Sequence, residues 1–277
     1  MSYGLLDSIV LGFIQGIFEW LPISSKTIVM LYSSLVLGKP LVLSYIVGLA
    51  IQGGTTFAAI AYFWREILDI ISLKNKKLLM YVLITTSSTC LTGIPLYILF
   101  TNILEFDEEF SNLNFVTIAI GILLLTQAWV LSKLKPGIKR IDNIDTFDSL
   151  VLGFIQGLSA VPGISRSGVT IATLLYLGYT VDEALRLSFL ASIPVNLGAT
   201  ILTLILEKLG IIYVDITSIG LASLTSLITG FTTIRLLLTI AKKYSYKLTI
   251  ALGIITIVIG VTTTTALRNC FGFHIGL

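Results

Sequence analysis

The chain has 277 residues, of which 55% are hydrophobic and only 12% are charged, and its mean hydropathy is +0.97. Soluble domains carry roughly 25% charged residues, so this composition excludes a water-soluble globular protein. The net charge of +3 comes from short basic runs between long apolar stretches, and these runs form no stripe that would bind nucleic acid. We therefore expect an integral membrane protein whose partner is the lipid bilayer, with no nucleic acid.

Taken in chain order, the apolar stretches are of two kinds. Those at 5–37 and 148–178 are interrupted by Pro, Gly, Ser and a charge, so each half has about 15 residues, against the roughly 20 that a span needs. Both cysteines, Cys90 and Cys270, lie in apolar surroundings and are expected to be buried. The uninterrupted stretches are predicted to cross the membrane at 41–64, 78–101, 115–133, 183–206, 218–241 and 247–267.

The connections between these stretches predict an orientation. Lys and Arg cluster at 65–77, 133–140 and 242–247, whereas the connection at 102–114 has four acidic residues and no basic one. The positive-inside rule places the three basic connections in the cytoplasm. Six spans fit this alternation only if each interrupted stretch returns to the side it came from. The first is therefore predicted to be re-entrant from outside and the second from the cytoplasm.

An internal repeat leads to the same topology. Residues 7–16 recur at 148–157 with nine of ten positions identical, at a shift of 141. Three spans lie between the copies, so the copies enter from opposite faces, as in inverted-repeat transporter folds. We predict an all-α integral membrane fold with an inverted-topology repeat, made of six transmembrane helices and two re-entrant helical hairpins. Its halves, 1–140 and 141–277, form one membrane domain.

The first hairpin tip carries a carboxylate. Glu19 is the only acidic residue between Asp7 and Glu66. A charge at membrane depth costs about 2.5 kcal/mol or more, which makes Glu19 a candidate functional residue. Gln15 precedes it by four residues, so both side chains share one helix face. The alternative is that Glu19 only forms an internal ion pair, for example with Lys26.

The second hairpin tip carries an arginine. Arg166 is the only cation between Arg140 and Arg186, and it lies where a new helix can begin. An Arg side chain offers a fixed fork of donors for phosphate, and a helix N-terminus adds free N–H groups. The alternative is an ordinary helix cap with a snorkelling arginine. Three hydroxyl residues near Arg166 could add donors: Ser165, Ser167 and Thr170.

Together the two tips predict phosphate chemistry at one site near the membrane midplane. Arg166 would bind the anion, while Glu19 and Gln15 would hold a hard divalent cation through oxygen atoms, as Mg²⁺ sites do. A serine, or a water bound by the metal, would attack phosphorus. The rival hypothesis is a transporter or flippase of polyprenyl phosphate that uses the same anion site, because inverted repeats are typical of transporters.

In these segments the chain resembles the bacitracin-resistance family of undecaprenyl-diphosphate phosphatases. The first family signature is an E/Q-x-x-x-E pair that leads into P-x-S-S, and it is matched by Gln15, Glu19 and residues 22–25. The second signature, P-G-x-S-R-S-x-x-T, is matched in full by residues 162–170. Weaker family-like stretches extend the resemblance over most of the chain, at 51–53, 63–65, 186–194 and 230–246.

The resemblance implies a hydrolase that converts a polyprenyl diphosphate to the monophosphate and phosphate at the outer face of the plasma membrane. That reaction recycles a lipid carrier for cell-envelope synthesis. The resemblance also implies Mg²⁺ or Ca²⁺ as cofactor, catalytic roles for Glu19, Ser25 and Arg166, and metal binding by Gln15 and Glu19. The implied substrate-binding residues are Ser24, Lys26, Gln156, Ser165, Ser167 and Thr170. The choice between Ser24, Ser25 and water as nucleophile stays open, as does the formation of a homodimer.

The chain departs from the family pattern at two positions. The family usually has a histidine three residues after the second serine of P-x-S-S, where this chain has Ile28, and the single histidine, His274, lies near the C-terminus. A glutamate often found before the I-Q segment is here Gly48. We hypothesise that Lys26, which aligns with Arg166 at a shift of 140, contributes charge or proton transfer in place of the histidine.

Overall fold

The computed structural model is helical, with no strand in the parts of the chain that it describes, residues 3–106, 113–208 and 215–271. Two short 3₁₀ turns, Ile141–Asn143 and Leu158–Ala160, flank the eighth helix. The α-helices are α1 (Leu5–Phe18), α2 (Ser25–Leu35), α3 (Leu41–Ala50), α4 (Gln52–Tyr62), α5 (Trp64–Ile71), α6 (Lys76–Phe106), α7 (Leu113–Lys133), α8 (Thr146–Gly157), α9 (Arg166–Tyr176), α10 (Val181–Lys208) and α11 (Ile216–Phe271).

Five helical stretches among the described residues are long and apolar enough to cross a membrane. They coincide with five of the six predicted spans and cover Leu41–Tyr62, Lys76–Ile103, Leu113–Lys133, Val181–Ile205 and Ile216–Lys243. The sixth predicted span, 247–267, corresponds to a shorter apolar stretch, Tyr246–Thr262, so it stays a prediction. The multi-pass membrane character predicted from composition therefore agrees with the length of these helices.

The end of the chain differs from the predicted pattern in one respect. The sequence predicts two helices separated near Lys242, but α11 is helical throughout its 56 residues. A straight helix of that length would measure about 84 Å, more than twice the thickness of a hydrocarbon core. The two stretches of α11 pack on different partners: Ala222 lies against Gly12 of α1, whereas Gly253 lies against Leu125 of α7. Helical backbone thus continues where a loop was expected.

Both interrupted stretches contain the predicted break. The first is split by residues 19–24 into helices of 14 and 11 residues. The second is split by residues 158–165 into helices of 12 and 11 residues. In the second break Gly163 has a φ of +91°, a left-handed conformation that side-chain-bearing residues rarely adopt. None of the four helices reaches the roughly 20 residues of a full span.

The repeated segment makes matching contacts in the two halves. On α1, a Cβ added at Gly16 would lie 2.7 Å from the Cβ of Thr229 in α11. On α8, a Cβ added at Gly157 would lie 2.8 Å from the Cβ of Thr92 in α6. In both cases a glycine lets two helices approach closely, as small residues do in membranes. The first helix of each hairpin therefore packs on a long helix of the opposite half.

The largest hydrophobic core surrounds the break of the first hairpin. Trp20, Leu21 and Ile23 are buried there, and the ring centroids of Trp20 and of Phe189 in α10 are 5.3 Å apart. This core fixes the backbone on both sides of Glu19. Cys90 of α6 is exposed, so the expectation that it is buried was wrong; the side chain of Cys270 lies outside the described residues.

Candidate active site

The two hairpin tips meet. Glu19, the residue that follows α1, forms an ion pair with Arg166, the first residue of α9, across 147 positions of sequence. The side chain of Glu19 is 6% exposed and that of Arg166 is 11% exposed. Since an uncompensated charge is costly at this depth, each side chain stabilises the other. The contact joins the carboxylate and the arginine that the sequence singled out separately.

Four donors surround the Glu19 carboxylate. Its Oε2 accepts hydrogen bonds from Gln15 Nε2 and Ser25 Oγ, both at 2.7 Å. Its Oε1 accepts from Arg166 Nη2 and, at 3.2 Å, from Asn196 Nδ2. A carboxylate offers about four lone-pair positions, so this group is fully satisfied. The partner of Glu19 is thus Arg166 rather than Lys26, which was the partner suggested for a purely internal ion pair.

The two adjacent serines of the first tip have different partners. Ser25 is the first residue of α2, and its hydroxyl donates to Glu19. Ser24 precedes the helix, and its Oγ accepts a hydrogen bond from Thr27 Oγ1 at 2.6 Å. A serine bonded to a carboxylate at 2.6–3.2 Å has the geometry of a nucleophile with its general base. Of the two, Ser25 has that geometry.

In the second tip, hydroxyl groups hold backbone in place. Ser165 Oγ accepts from Gly168 N at 3.2 Å and so caps α9. Ser167 Oγ donates to the carbonyl of Leu21 in the first tip at 2.8 Å. Thr170 Oγ1 donates to the carbonyl of Arg166 at 2.8 Å and lies 2.5 Å from Ser188 Oγ. The structure thus gives structural partners to the three hydroxyls that were predicted to bind substrate, and their substrate-binding roles stay predictions.

A cavity of about 360 Å³ opens onto the paired tips. Its polar end includes seven of the predicted site residues besides Arg166, namely Glu19, Ser24, Ser25, Lys26, Gln156, Ser165 and Ser167. Gln15 and Thr170 lie behind this wall and do not line it. The rest of the wall comes from α6 and α10, where Ile94 is 51% exposed and Leu202 is 40% exposed. The cavity therefore borders the outer, apolar surface of the helices.

Four buried polar atoms at or beside the tips have no hydrogen-bond partner among the described residues. They are Gln15 Oε1, Trp20 Nε1, Gln156 Oε1 and Arg166 Nη1. Buried polar groups are nearly always paired, so each of these atoms is suited to a ligand. No cluster of three or more His, Cys, Asp or Glu residues occurs in the described segments. Gln15 Oε1 is an unpaired oxygen ligand for a hard cation, and the Glu19 carboxylate would join it by exchanging one of its four present donors, with water and substrate as further ligands.

Lys26 and Ile28 occupy different environments. Lys26 is buried, lines the cavity, and its Nζ lies 6.0 Å from the ring centroid of Tyr45. Ile28, which stands at the position of the family histidine, packs against the hydrophobic core. A residue at position 28 therefore contributes apolar packing here, while Lys26 brings a positive charge to the cavity. Gly48 leaves room for this arrangement, because a Cβ there would lie 2.8 Å from the carbonyl oxygen of Lys26.

Sequence reasoning missed two amides that hold the tips. Asn196 donates to Glu19 from the middle of α10. Gln127 of α7 donates to the carbonyl of Pro22 at 3.1 Å and accepts from the N–H of Ser165 at 3.0 Å, so it bridges the two tips. The signal was present, since each is an amide within an apolar span. Amides are common in helix packing within membranes, however, so neither was distinctive.

Comparison with known proteins shows the family of the chain. The family model described as bacitracin resistance protein BacA matches residues 8–262. The undecaprenyl-diphosphatase of Sulfurisphaera tokodaii is 38% identical over 267 residues, which cover 94% of this chain and 98% of that protein. Proteins of the same name from Saccharolobus islandicus (35% over 259 residues, 92% and 96% covered) and Pyrobaculum islandicum (36% over 265 residues, 93% and 97% covered) are also similar. The chain belongs to the bacitracin resistance protein BacA family.

Proposed function

We propose that this chain is a membrane phosphatase that hydrolyses a polyprenyl diphosphate, of the undecaprenyl-diphosphate type, to the monophosphate and phosphate. The observation that carries the proposal is the Glu19–Arg166 contact at the polar end of a cavity with apolar walls. An arginine suits the diphosphate, and the apolar wall suits a prenyl chain. The printed names of the relatives describe the same activity. The product would return to the pool of lipid carriers for cell-envelope synthesis.

Arg166 would bind the terminal phosphate. Its Nη1 is buried without a partner, so a donor is available while Nη2 still contacts Glu19. A second phosphate oxygen would compete with the carboxylate for Nη2. Transfer of that hydrogen bond to the phosphate would leave Glu19 with less positive charge beside it. Glu19 would then be a stronger base toward the hydroxyl of Ser25.

Ser25 would be the nucleophile, since it is the serine bonded to Glu19. Its Oγ would form a bond to the terminal phosphorus as the anhydride P–O bond breaks, and its proton would pass to Glu19. The polyprenyl monophosphate would leave. Glu19 would pass that proton on to the departing monophosphate. Water would then attack the phosphoserine and give a proton to Glu19, which returns it to Ser25 Oγ as the serine P–O bond breaks and inorganic phosphate leaves. Direct attack by water is the alternative that substitution of Ser25 tests.

A divalent cation, Mg²⁺ or Ca²⁺, would be held by Gln15 Oε1 and Glu19. When bound, it would neutralise charge on the substrate oxygens and polarise the phosphorus. Gln15 is suited to this role because its amide oxygen has no partner among the described residues. Lys26, which follows Ser25 in α2 and lines the same cavity, would contribute charge or proton transfer in place of the family histidine. Ser24, Gln156, Ser165 and Ser167 would complete the polar end of the substrate site.

We further propose that the chain folds as an inverted repeat of six spans and two re-entrant hairpins, with halves at 1–140 and 141–277. The packing of the hairpins supports this. α1 contacts α11 in order, Gly12 with Ala222 and Gly16 with Thr229, so the two helices run parallel. α8 runs parallel to α6 in the same way. If the basic connections are cytoplasmic, α6 starts in the cytoplasm and runs outward, and α8, which is parallel to it, would also enter from the cytoplasm. By the same rule α11 starts outside and runs inward, and α1, which is parallel to it, would enter from outside.

The same topology would open the site toward the outer face of the plasma membrane. The cavity is walled by residues 86–97 of α6 and 194–203 of α10. Residues 86–97 cover the middle of α6 and part of its second half, and α6 starts at the basic connection at 65–77. Residues 194–203 lie in the second half of α10, whose first turn pairs with Lys242 through Asp182. They are therefore on the side away from the three basic clusters, which the positive-inside rule makes the outer side.

Phosphate release from a defined lipid tests the proposed activity. Purified protein in detergent receives a C15–C55 prenyl diphosphate with Mg²⁺, and phosphate is measured for wild type, Glu19→Ala and Arg166→Ala. We expect release by wild type and background release by both variants. Wild-type protein that binds the diphosphate or monophosphate lipid but releases no phosphate would contradict a phosphatase.

A further inference from the structure

A second groove, of about 1140 Å³, lies away from the paired tips. It is walled by the end of α4, by α5, by the start of α10 and by residues 231–242 of α11. Along α10, Arg186 of this groove and Asn196 of the first site are ten residues apart, which is about 15 Å of helix. Six charged residues line it, and we call it the basic groove: Arg65, Glu66, Asp182, Arg186, Arg235 and Lys242.

The basic groove contains more positive than negative charge. Two of its four cations are paired: Arg186 donates to Glu66 Oε1 from Nε at 3.1 Å and Nη2 at 2.8 Å, and Lys242 forms an ion pair with Asp182. The other two, Arg65 and Arg235, are exposed and form no ion pair with any side chain that the structure describes. The groove therefore has two arginine side chains available to an anion.

The position of these arginines along the helices suits a lipid headgroup. Arg235 precedes Lys242 by seven residues, two helical turns or about 10.5 Å, so both lie on one face of α11. Lys242 stands in a basic connection, where the membrane interface is expected. Trp64, 51% exposed beside Arg65, is of the residue type that concentrates at that interface. A single exposed arginine could simply snorkel, but the groove has two arginines without an ion pair among the described residues, on different helices, and the Arg65 guanidinium lies over the Trp64 ring at 5.3 Å from its centroid.

The inverted repeat gives a second, independent reason to expect a cavity here. The first cavity is walled by residues 86–97 of α6 and 194–203 of α10. A shift of 141 positions forward maps the α6 wall onto 227–238 of α11, and a shift of 141 positions back maps the α10 wall onto 53–62 of α4. Both mapped ranges overlap the walls of the basic groove. This step rests on the repeat proposed above. On that basis the groove is the counterpart of the active-site cavity, with charged walls in place of apolar ones.

We propose that the basic groove binds the phosphate headgroup of an anionic lipid. Arg65 of α5 and Arg235 of α11 contact the phosphate oxygens, since the arginine fork matches phosphate geometry. Phe231, which is 54% exposed in the same wall, lies beside the acyl chains. Basic pockets between membrane helices recognise headgroups of this class. The proposal concerns binding and does not depend on phosphate release at Glu19.

Native mass spectrometry of the full chain in detergent tests the proposal. The probe is dioleoyl phosphatidic acid, and dioleoyl phosphatidylcholine is the control for acyl chains without net charge. All proteins carry Glu19→Ala with Arg166→Ala, which removes the phosphate site of the first cavity and leaves no buried charge unpaired. We expect one phosphatidic acid to bind at low lipid concentration, and Arg65→Gln with Arg235→Gln to weaken that binding by roughly tenfold or more. Phosphatidylcholine should bind equally to both proteins.

The matched control is Lys74→Gln with Lys133→Gln, which removes the same charge from exposed lysines of the basic connections outside the groove. We expect this pair to change phosphatidic acid binding by less than about threefold, the effect of general surface charge. Equal losses in the two double variants would overturn the proposal, because binding would then be diffuse. Displacement of the lipid by inorganic phosphate at equal concentration would show that the ligand is the free ion, and would overturn the lipid headgroup. Thermal unfolding of each variant shows whether it is folded.

Discussion

The two hairpins begin alike and end differently. α1 and α8 share nine of ten residues over the repeated segment, and their glycines pack on the same kind of Thr-Gly step, at Thr229 and at Thr92. Past the repeat, the first tip has Glu19 and Ser25, whereas the second has Arg166 behind a serine cap. The repeated residues thus form the matching first helices of the two hairpins, and the residues that differ between the copies lie at the contact between the tips. The predictions below exploit matched positions in the two hairpins.

Substitution of the aligned serines should give the largest difference. Ser25 and Ser165 align at a shift of 140, but Ser25 donates to Glu19 while Ser165 caps α9. We expect Ser25→Ala to lower kcat by about 10³-fold or more if it is the nucleophile. Ser165→Ala should mainly cost about 1 kcal/mol of stability through the lost cap. Steady-state phosphate release measures the first effect, and thermal unfolding the second. Substantial turnover by Ser25→Ala would favour water as the nucleophile.

Removing one side of the ion pair should strongly destabilise the protein. Arg166→Ala leaves the Glu19 carboxylate buried without its cation, a change that costs about 3–5 kcal/mol. The double variant Glu19→Ala with Arg166→Ala should recover much of this loss, since no charge is left unpaired. Unfolding by denaturing detergent would show the difference. Equal stability of Arg166→Ala and wild type would mean that the ion pair is absent in the folded protein.

The repeated glutamines should differ in cation dependence. Gln15 and Gln156 are equivalent in the repeat, and each has an unpaired amide oxygen, but only Gln15 donates to Glu19. If Gln15 helps to hold the cation, Gln15→Ala should raise the Mg²⁺ concentration for half-maximal activity by about 10–100-fold. Gln156→Ala should leave it unchanged, whatever its effect on KM. A titration of activity with Mg²⁺ decides this, and equal shifts in both variants would remove Gln15 from the metal site.

The repeated glycines should behave alike, and this prediction has the smallest effect. A Cβ at Gly16 or Gly157 would overlap a threonine of the facing helix, so each substitution by alanine should cost about 1–3 kcal/mol. Gly198 has nothing within 4 Å of its added Cβ and is the control that should change little. Apparent melting temperatures of the three variants would test this. A large loss at one repeated glycine and none at the other would argue against equivalent packing.

The sequence predicted the breaks and their chemistry because charge and proline are rare inside a membrane and so stand out. Glu19 and Arg166 were recognisable as lone charges in apolar surroundings. The direct bond between them required the fold, because no local pattern relates residues 147 positions apart. Pro, Gly, Ser and a charge predicted that each of these stretches would be broken near its middle, and the structure contains both breaks.

Other features could not be read from local pattern. Asn196 and Gln127 hold the tips, yet a single amide in a span usually serves helix packing, so neither could be assigned to the site. The lysines near 242 indicated a loop, but lysine favours helix, and α11 continues through them. The exposure of Cys90 follows from its position in the cavity wall, which depends on how α6 and α10 pack.

Glu19 is proposed to act as the base that accepts the Ser25 proton. Substitution of Glu19 and of a second buried carboxylate, Asp148, by their isosteric amides tests whether that role is specific to Glu19. Asp148 lies in the first turn of α8, at the base of the second hairpin, and is buried like Glu19. Its Oδ2 lies 3.3 Å from Lys139 Nζ and accepts a hydrogen bond from the Tyr179 hydroxyl at 2.6 Å. Phosphate release from a prenyl diphosphate with Mg²⁺ is measured for Glu19→Gln and Asp148→Asn, both isosteric and both checked for folding. We expect Glu19→Gln to fall to background while folded Asp148→Asn retains release within about tenfold of wild type. Wild-type release by Glu19→Gln would contradict the account.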